Sequence, residues 1–225
     1  MNEIISTRII HNHHLTSRRL YLETRLHAFH DVSFIEMENI DMDLPIEMYS
    51  GGDRAAWRKK HCGLWKPIPK FRELSTPEIM ATASHYYAYS TTPKEWCLIL
   101  EDDAILDNQF ETKIIEAISH ADNSIDIIFL GGGFDINKVT EPYELKEGLT
   151  ICRPPNTNTT VAYIIRKRAS LRLLLHFKEF DLPIDFELAY QLKELNFKVA
   201  HTTPYIVQEG SKSHYESSID NWRTT

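Results

Sequence analysis

The sequence predicts an α/β fold, a mostly parallel central sheet flanked by helices, and three observations predict it. Strand-like and helix-like segments alternate from the start of the chain, and a strand–helix–strand opening favours a parallel pair. Short runs dominated by apolar residues recur at 96–100 (WCLIL), 125–130 (IDIIFL) and 160–166 (TVAYIIR), as expected of strands buried inside a sheet. The 225 residues, 42% hydrophobic and 25% charged, suffice for one sizeable α/β domain or two small ones, with an ordinary core and no structural metal.

In order along the chain, 3–10 (EIISTRII) is rich in β-branched residues and reads as a strand. Residues 16–29 carry Leu20, Leu22, Leu26 and Phe29 at mostly helical spacing, with Thr16 or Ser17 as N-cap, and 32–36 (VSFIE) reads as the next strand. Residues 42–75 hold several Pro and Gly, Trp57, Trp65 and a basic run from Arg54 to Lys60, and read as a long loop region. Thr76-Pro77-Glu78 opens a helix over 76–90, with Thr76 as N-cap and Pro77 as the first helical residue. After the apolar run at 160–166 a helix over 167–177 is expected, then another over 185–195. A last strand over 197–207 is broken by Pro204, and 209–225 is a polar loop or tail.

Composition excludes some classes. A formal net charge of −7 argues against a nucleic-acid binder, which ordinarily presents a basic face. Arg54, Arg58, Lys59, Lys60 and Lys66 could still line a phosphate cleft, or form a solvated basic loop. The three cysteines, Cys62, Cys97 and Cys152, make neither a disulfide framework nor a CxxC metal site, so a reducing, cytoplasmic compartment fits. Residues 1–10 do not read as a signal peptide. No apolar run approaches the roughly 20 residues needed to span a bilayer, which leaves peripheral contact at the cytoplasmic face.

The apolar strand at 96–100 ends abruptly in Glu101-Asp102-Asp103. Ligands of open α/β sheets bind outside the carboxyl ends of strands. Alternation along an extended chain puts Glu101 and Asp103 on one side and Asp102 on the other. Two carboxylates on one side suit a hard divalent cation, which can bridge a diphosphate; the plain alternative is a solvated acidic turn. Gly131-Gly132-Gly133 follows another strand and permits close backbone approach to a ligand, or simply a flexible turn; it is neither GxGxxG nor a P-loop.

Several stretches, in order, resemble glycosyltransferase family 25, the lipooligosaccharide- and collagen-type galactosyltransferase group. Arg8-Ile-Ile-His-Asn12 with Arg18-Arg19 looks like the family's opening strand and Arg-rich turn. Thr76-Pro-Glu78-Ile79 through Ser84-His85 resembles its Ser-His helix, although Pro77, Met80 and Ala81 replace two glycines and a cysteine. Cys97-Leu-Ile-Leu-Glu-Asp-Asp-Ala104 is close to its apolar-Glu-Asp-Asp stretch. Thr160-Val-Ala-Tyr163 with Ala169 and Leu173-Leu174, Pro183-Ile-Asp185, and Pro204, Gln208 and Ser218-Ile219 are similar to its later segments.

The resemblance implies a single GT-A type domain over 1–225, with a donor-binding half at about 1–130 and an acceptor half at about 131–225. It implies an inverting hexosyltransferase that moves a sugar, often galactose, from a UDP-sugar to a saccharide or glycan with Mn²⁺ or Mg²⁺, as in lipopolysaccharide biosynthesis. Glu101 and Asp103 then hold the metal, with His214 as a late ligand; a solvent-exposed histidine is the alternative for His214. Asn12, Arg18, Arg19, Glu78, Ser84, His85, Glu101 and Asp102 fall on the donor side, where guanidinium forks suit phosphate oxygens; first-turn helix surface is the alternative for Arg18 and Arg19, and a packed, hydrogen-bonded ring the alternative for His85. An inverting transfer needs a base for the acceptor hydroxyl. Asp185 is the first choice and can equally be an N-cap; Glu187 is the second, with an ordinary helix-surface glutamate as its alternative. His11, His13 and His14 read as part of the donor-side loop, and Trp57 and Trp65 as stacking or core residues. A metal-dependent phosphoesterase using the same carboxylates, and a non-catalytic glycan-binding protein on a transferase fold, are the competing readings.

Overall fold

The computed structural model describes residues 4–40, 49, 73–132, 143–146, 148–152, 159–176 and 179–212. Most of the 42–75 region, with Trp57, Trp65 and the basic run, lies outside them, as do His214 and the rest of the C-terminal stretch.

The chain opens as expected: β1 (Ile5–His11), α1 (Thr16–Arg25) and β2 (Val32–Glu36) form a parallel βαβ unit. Helix α1 stops at Arg25, short of the expected Phe29, and Leu15 rather than Thr16 holds its N-cap position. Leu26 and Phe29 still reach the core from the turn that follows. Next come α2 (Thr76–Ser90), β3 (Trp96–Glu101), β4 (Ala104–Leu106), α3 (Phe110–His120) and β5 (Ile127–Phe129). In α2 the N-cap is Ser75, one residue earlier than expected, because the Glu78 carboxylate reaches back to the Ser75 amide at 2.8 Å in a capping box. The chain continues through β6 (Tyr143–Lys146), β7 (Leu149–Cys152), β8 (Ala162–Arg166), α4 (Lys167–His176), α5 (Ile184–Glu194), β9 (Val199–Thr202) and β10 (Val207–Glu209). The expected strand over 197–207 is thus two, split at the cis Thr203–Pro204 bond.

Eight strands form one sheet in the order β2-β1-β3-β8-β5-β9-β7-β6. Strands β2, β1 and β3 are parallel, β5 and β9 are parallel, and only β8 and β7 run against the rest. Period-two alternation divides the apolar runs between two cores. Leu98, Leu100, Ile128 and Ile164 face Leu22 of α1, Leu26 just after it, and Phe110 and Ile114 of α3. Cys97, Ile99, Phe129 and Tyr163 face Ala88, Leu173, Leu188 and Leu192 of α2, α4 and α5. A buried run such as WCLIL therefore serves both faces, which is why it contains no polar residue.

The reversed strand shapes the site. Because β8 is antiparallel to β3, the start of β8 lies beside the end of β3, and the Glu101 amide donates to the Val161 carbonyl at 2.9 Å. Thr159 and Thr160 thus arrive next to the acidic triplet. A small antiparallel ribbon of β10 on β4 brings the C-terminal segment to the same place. Gly131 and Gly132 are tightly packed there. A Cβ on Gly131 would meet Val161 Cγ1 at 2.9 Å, and one on Gly132 would overlap the Tyr205 ring. These two glycines admit protein neighbours rather than a ligand.

Candidate functional site

At the carboxyl ends of β1 and β3 lies a cleft of about 240 Å³, lined among others by Asn12, Arg18, Glu78, His85, the acidic triplet, Thr160, Asp185, Glu209 and Ser211. The three carboxylates of the triplet have three different surroundings, whereas strand alternation by itself separates only Asp102 from the other two.

Asp102 turns back toward β1 and α1. One oxygen accepts from Arg18 Nη1 at 2.8 Å, and the other from His11 Nδ1 at 3.1 Å and the Asn12 amide at 3.0 Å. Burial alone would raise its pKa, but these donors outweigh burial and hold Asp102 below the usual aspartate range. These contacts tie the start of α1 to the end of β3, while Asp102 also lines the cleft.

Asp103 is tied to the chain's last described turn: Oδ2 accepts from the Ser211 amide at 3.0 Å, and its carbonyl accepts from Gly210 at 2.8 Å. Oδ1 is buried with no hydrogen-bond partner among the described residues. Burial, with Asp102 and Glu209 nearby, raises its pKa.

Glu101 faces the cleft. Its Oε1 lies 3.2 Å from His85 Nε2 and 2.6 Å from Thr160 Oγ1, and Thr160 Oγ1 lies 2.7 Å from Asp185 Oδ1. One hydroxyl has one proton to give, so both Thr160 contacts close only when a carboxyl supplies the second. The energetics agree. Burial and the Asp103 charge push Glu101 up to about 8, and burial and the Glu101 charge push Asp185 up to about 7. His85 is fully buried, which lowers its pKa to about 3 and keeps the ring neutral.

Asp185 is not an N-cap. Pro183 holds that position, and the Asp185 side chain points to Thr160 from the first turn of α5. Glu187 departs from expectation in both directions. It is neither surface nor cleft, but fully buried and held by Gln191 Nε2 at 2.9 Å. Ser84 is also buried and donates to the Met80 carbonyl at 2.8 Å within its own helix, away from the cleft. Arg19 pairs with Glu23 and Glu36 and covers Phe34, so its guanidinium is used on the outside of α1. Asn12, Arg18, Glu78, His85 and Asp185 do line the cleft. His14 bonds back to Asn12 through its amide, His13 pairs with Glu38, and His11 packs edge-on against Phe34. His214 lies outside the described residues.

Sequence reasoning missed Thr159, Thr160, Glu209 and Ser211 as cleft residues. A threonine before a strand carries no local mark of function, and Ser211 arrives only through the β10–β4 ribbon.

Among the described residues, no three His, Cys, Asp or Glu side chains form a ready-made metal site. The donor chemistry nonetheless fits a hard divalent ion. Asp103 Oδ1 is a carboxylate oxygen without a partner among the described residues, and the ionised form of Glu101 beside it is destabilised by burial and by its acidic neighbours, which a cation would offset.

The cleft with its clustered carboxylates lies at the carboxyl ends of strands, where open α/β sheets bind their ligands. The sequence model of glycosyltransferase family 25 (LPS biosynthesis protein) matches residues 15–188. The chain belongs to this glycosyltransferase family. No curated protein sequence matches it. Among solved structures it is similar to a glycosyltransferase involved in the glycosylation of the major capsid of PBCV-1. That match has 13% identity and a TM-score of 0.36 over 77% of this chain, which spans 65% of that one's length. It is also similar to mouse xyloside xylosyltransferase 1, with 10% identity and a TM-score of 0.37 over 87% of this chain and 71% of that one. Likeness at that level carries no inference about chemistry, which rests on the family and the cleft. No helix among the described residues is long and apolar enough to cross a membrane.

Proposed function

We propose that the chain transfers a sugar, with galactose the first choice, from a UDP-sugar to a saccharide or glycan acceptor with inversion at the anomeric carbon. Glu101 and Asp103 would hold Mn²⁺ or Mg²⁺, which would supply positive charge to offset that of the nucleotide diphosphate. The single observation carrying this reading is the Glu101–Thr160–Asp185 bridge, which joins a carboxylate of the β3 end to one on α5 across one hydroxyl. One member serves the donor and the other the acceptor.

Asp185 is the base. A carboxylate whose pKa is raised to about 7 matches the ambient pH and can take a proton from a sugar hydroxyl. In that step the acceptor oxygen forms a bond to the anomeric carbon and its proton passes to Asp185. The bond from that carbon to the phosphate oxygen breaks, and its electron pair leaves on UDP. Thr160 orients Asp185, and the Arg18–Asp102 pair fixes the floor on which the phosphates rest. The cleft draws Asn12, Glu78 and the triplet from the first half of the chain and Thr160, Asp185 and Ser211 from the second. That division supports a donor half at about 1–130 and an acceptor half at about 131–225.

The test is a screen of UDP-sugars for UDP release, with and without Mn²⁺. One UDP-sugar should be turned over with the ion and not after chelation. Calorimetry showing no binding of UDP or any UDP-sugar in the presence of Mn²⁺ refutes the reading.

A further inference from the structure

We propose that Tyr163, backed by Tyr89, is a positioning residue for the transfer: its hydroxyl fixes the protonated nitrogen of His85, which then presents an N–H to the Glu101 carboxylate. The inference rests on the assignment of Glu101 to the donor side made above.

Four side chains from three elements form one hydrogen-bonded column behind the cleft. Tyr89 Oη lies 2.9 Å from Tyr163 Oη, Tyr163 Oη lies 2.7 Å from His85 Nδ1, and His85 Nε2 lies 3.2 Å from Glu101 Oε1. His85 and Tyr89 stand one turn apart on α2, Tyr163 is in β8, and Glu101 ends β3. The two tyrosines and the histidine are 1% exposed or less. Their polar atoms must therefore satisfy one another.

Donor accounting gives the column a direction. With Glu101 ionised to hold the ion proposed above, its carboxylate only accepts, so His85 Nε2 then carries the ring proton. His85 Nδ1 is then an acceptor, and Tyr163 must donate to it. The Tyr163 oxygen in turn accepts from Tyr89. The histidine ring is also stacked on Tyr163 at 5.8 Å and 12°, which fixes its plane. Both contacts to Glu101, from His85 and from Thr160, fall on Oε1, so Oε2 is the oxygen left to the cleft. A buried hydroxyl two contacts away thus decides how this carboxylate is presented, as outer partners do for groups that hold ions. Neither tyrosine touches the cleft.

The experiment compares wild type, Tyr163→Phe and Tyr89→Phe in the presence of Mg²⁺ and UDP. Ring-nitrogen NMR reads the His85 tautomer, its signals identified as those lost in His85→Asn, and UDP-release kinetics are measured in parallel. Tyr163→Phe keeps the ring stack and deletes only the donor. Wild-type His85 should appear as the Nε2-protonated form, and Tyr163→Phe should turn it into a mixture. In that variant kcat should fall about ten-fold while donor KM stays within about two-fold. A purely structural tyrosine would lower the melting temperature without moving the His85 signals. Tyr89→Phe should shift them less, in the same direction, and it decides the matter if Tyr163→Phe does not fold. Unchanged His85 signals overturn the proposal. Failure of wild type to release UDP from any UDP-sugar overturns the donor assignment alone, and leaves the NMR result standing.

Discussion

Arg18 and Asp102, 84 positions apart in the chain, form a buried ion pair at 2.8 Å that locks α1 to the end of β3. Breaking such a pair from one side leaves the other charge buried without its main counter-charge. Arg18→Met should therefore lower the unfolding free energy by about 3 kcal/mol or more, and Asp102→Asn by about 1–3 kcal/mol, both read from urea denaturation. The pH dependence has a definite sign. The Asp102 pKa is depressed in the folded chain, so its contribution is fully present above the unfolded aspartate value, about 4, and is lost as pH falls through the folded value. Wild-type stability should fall more steeply below about pH 4 than that of Asp102→Asn; parallel curves refute the assignment.

Asp103 offers a sharper contrast. Its Oδ2 is held by Ser211, whereas Oδ1 has no partner among the described residues. Asp103→Asn keeps the shape and the Ser211 contact if the amide oxygen takes that place, but removes a charge from the proposed ion site. Turnover of the UDP-sugar should drop about 100-fold or more, with the melting temperature within a few degrees of wild type. Undiminished Mn²⁺-dependent activity would remove Asp103 from that site.

Gly132 tests the packing of the reversed strand's neighbourhood. A methyl group there overlaps the Tyr205 ring, and Gly131 is bounded by Val161 and the Val207 carbonyl. Gly132→Ala should destabilise the fold by about 1–3 kcal/mol through overpacking, measured by thermal melting. A second substitution, Tyr205→Ala, should recover part of that loss by removing the ring. Additive effects of the two changes would show that the overlap is not what glycine avoids.

The parts of this architecture that were legible from the sequence are those set by local pattern. WCLIL announces a strand buried on both faces, and the alternation of Glu101, Asp102 and Asp103 anticipates that Asp102 turns away from its two neighbours. Helix 76–90 is marked by its own capping residues, off by one because Ser75 and Thr76 are both competent caps. What could not be read is what arrives from afar. Thr160 enters the cleft because β8 is reversed, and Ser211 because β10 pairs with β4. Neither pairing leaves a mark near those residues. Glu187 and Ser84 failed for a related reason. Residue type and helical position suit a surface or ligand role, but helix packing turned both inward.

The division of labour between Asp185 and Glu187 follows from those surroundings and can be separated by experiment. Both sit in the first turns of α5, and both are acidic. Asp185 opens onto the cleft and shares Thr160 with Glu101, whereas Glu187 is fully buried and bonded to Gln191 one turn on. Asp185→Asn should abolish the base: kcat falls about 100- to 10,000-fold, while UDP still binds in the presence of Mn²⁺. Because the substitution also removes a like charge from beside Glu101, its melting temperature should hold or rise. Glu187→Gln should do the opposite, costing stability through a disturbed buried hydrogen bond and leaving kcat of the folded fraction near wild type. The paired measurement of kcat and melting temperature decides between them. A large kcat loss in Glu187→Gln with an intact fold, and none in Asp185→Asn, would transfer the base to Glu187 and require α5 to turn during the reaction.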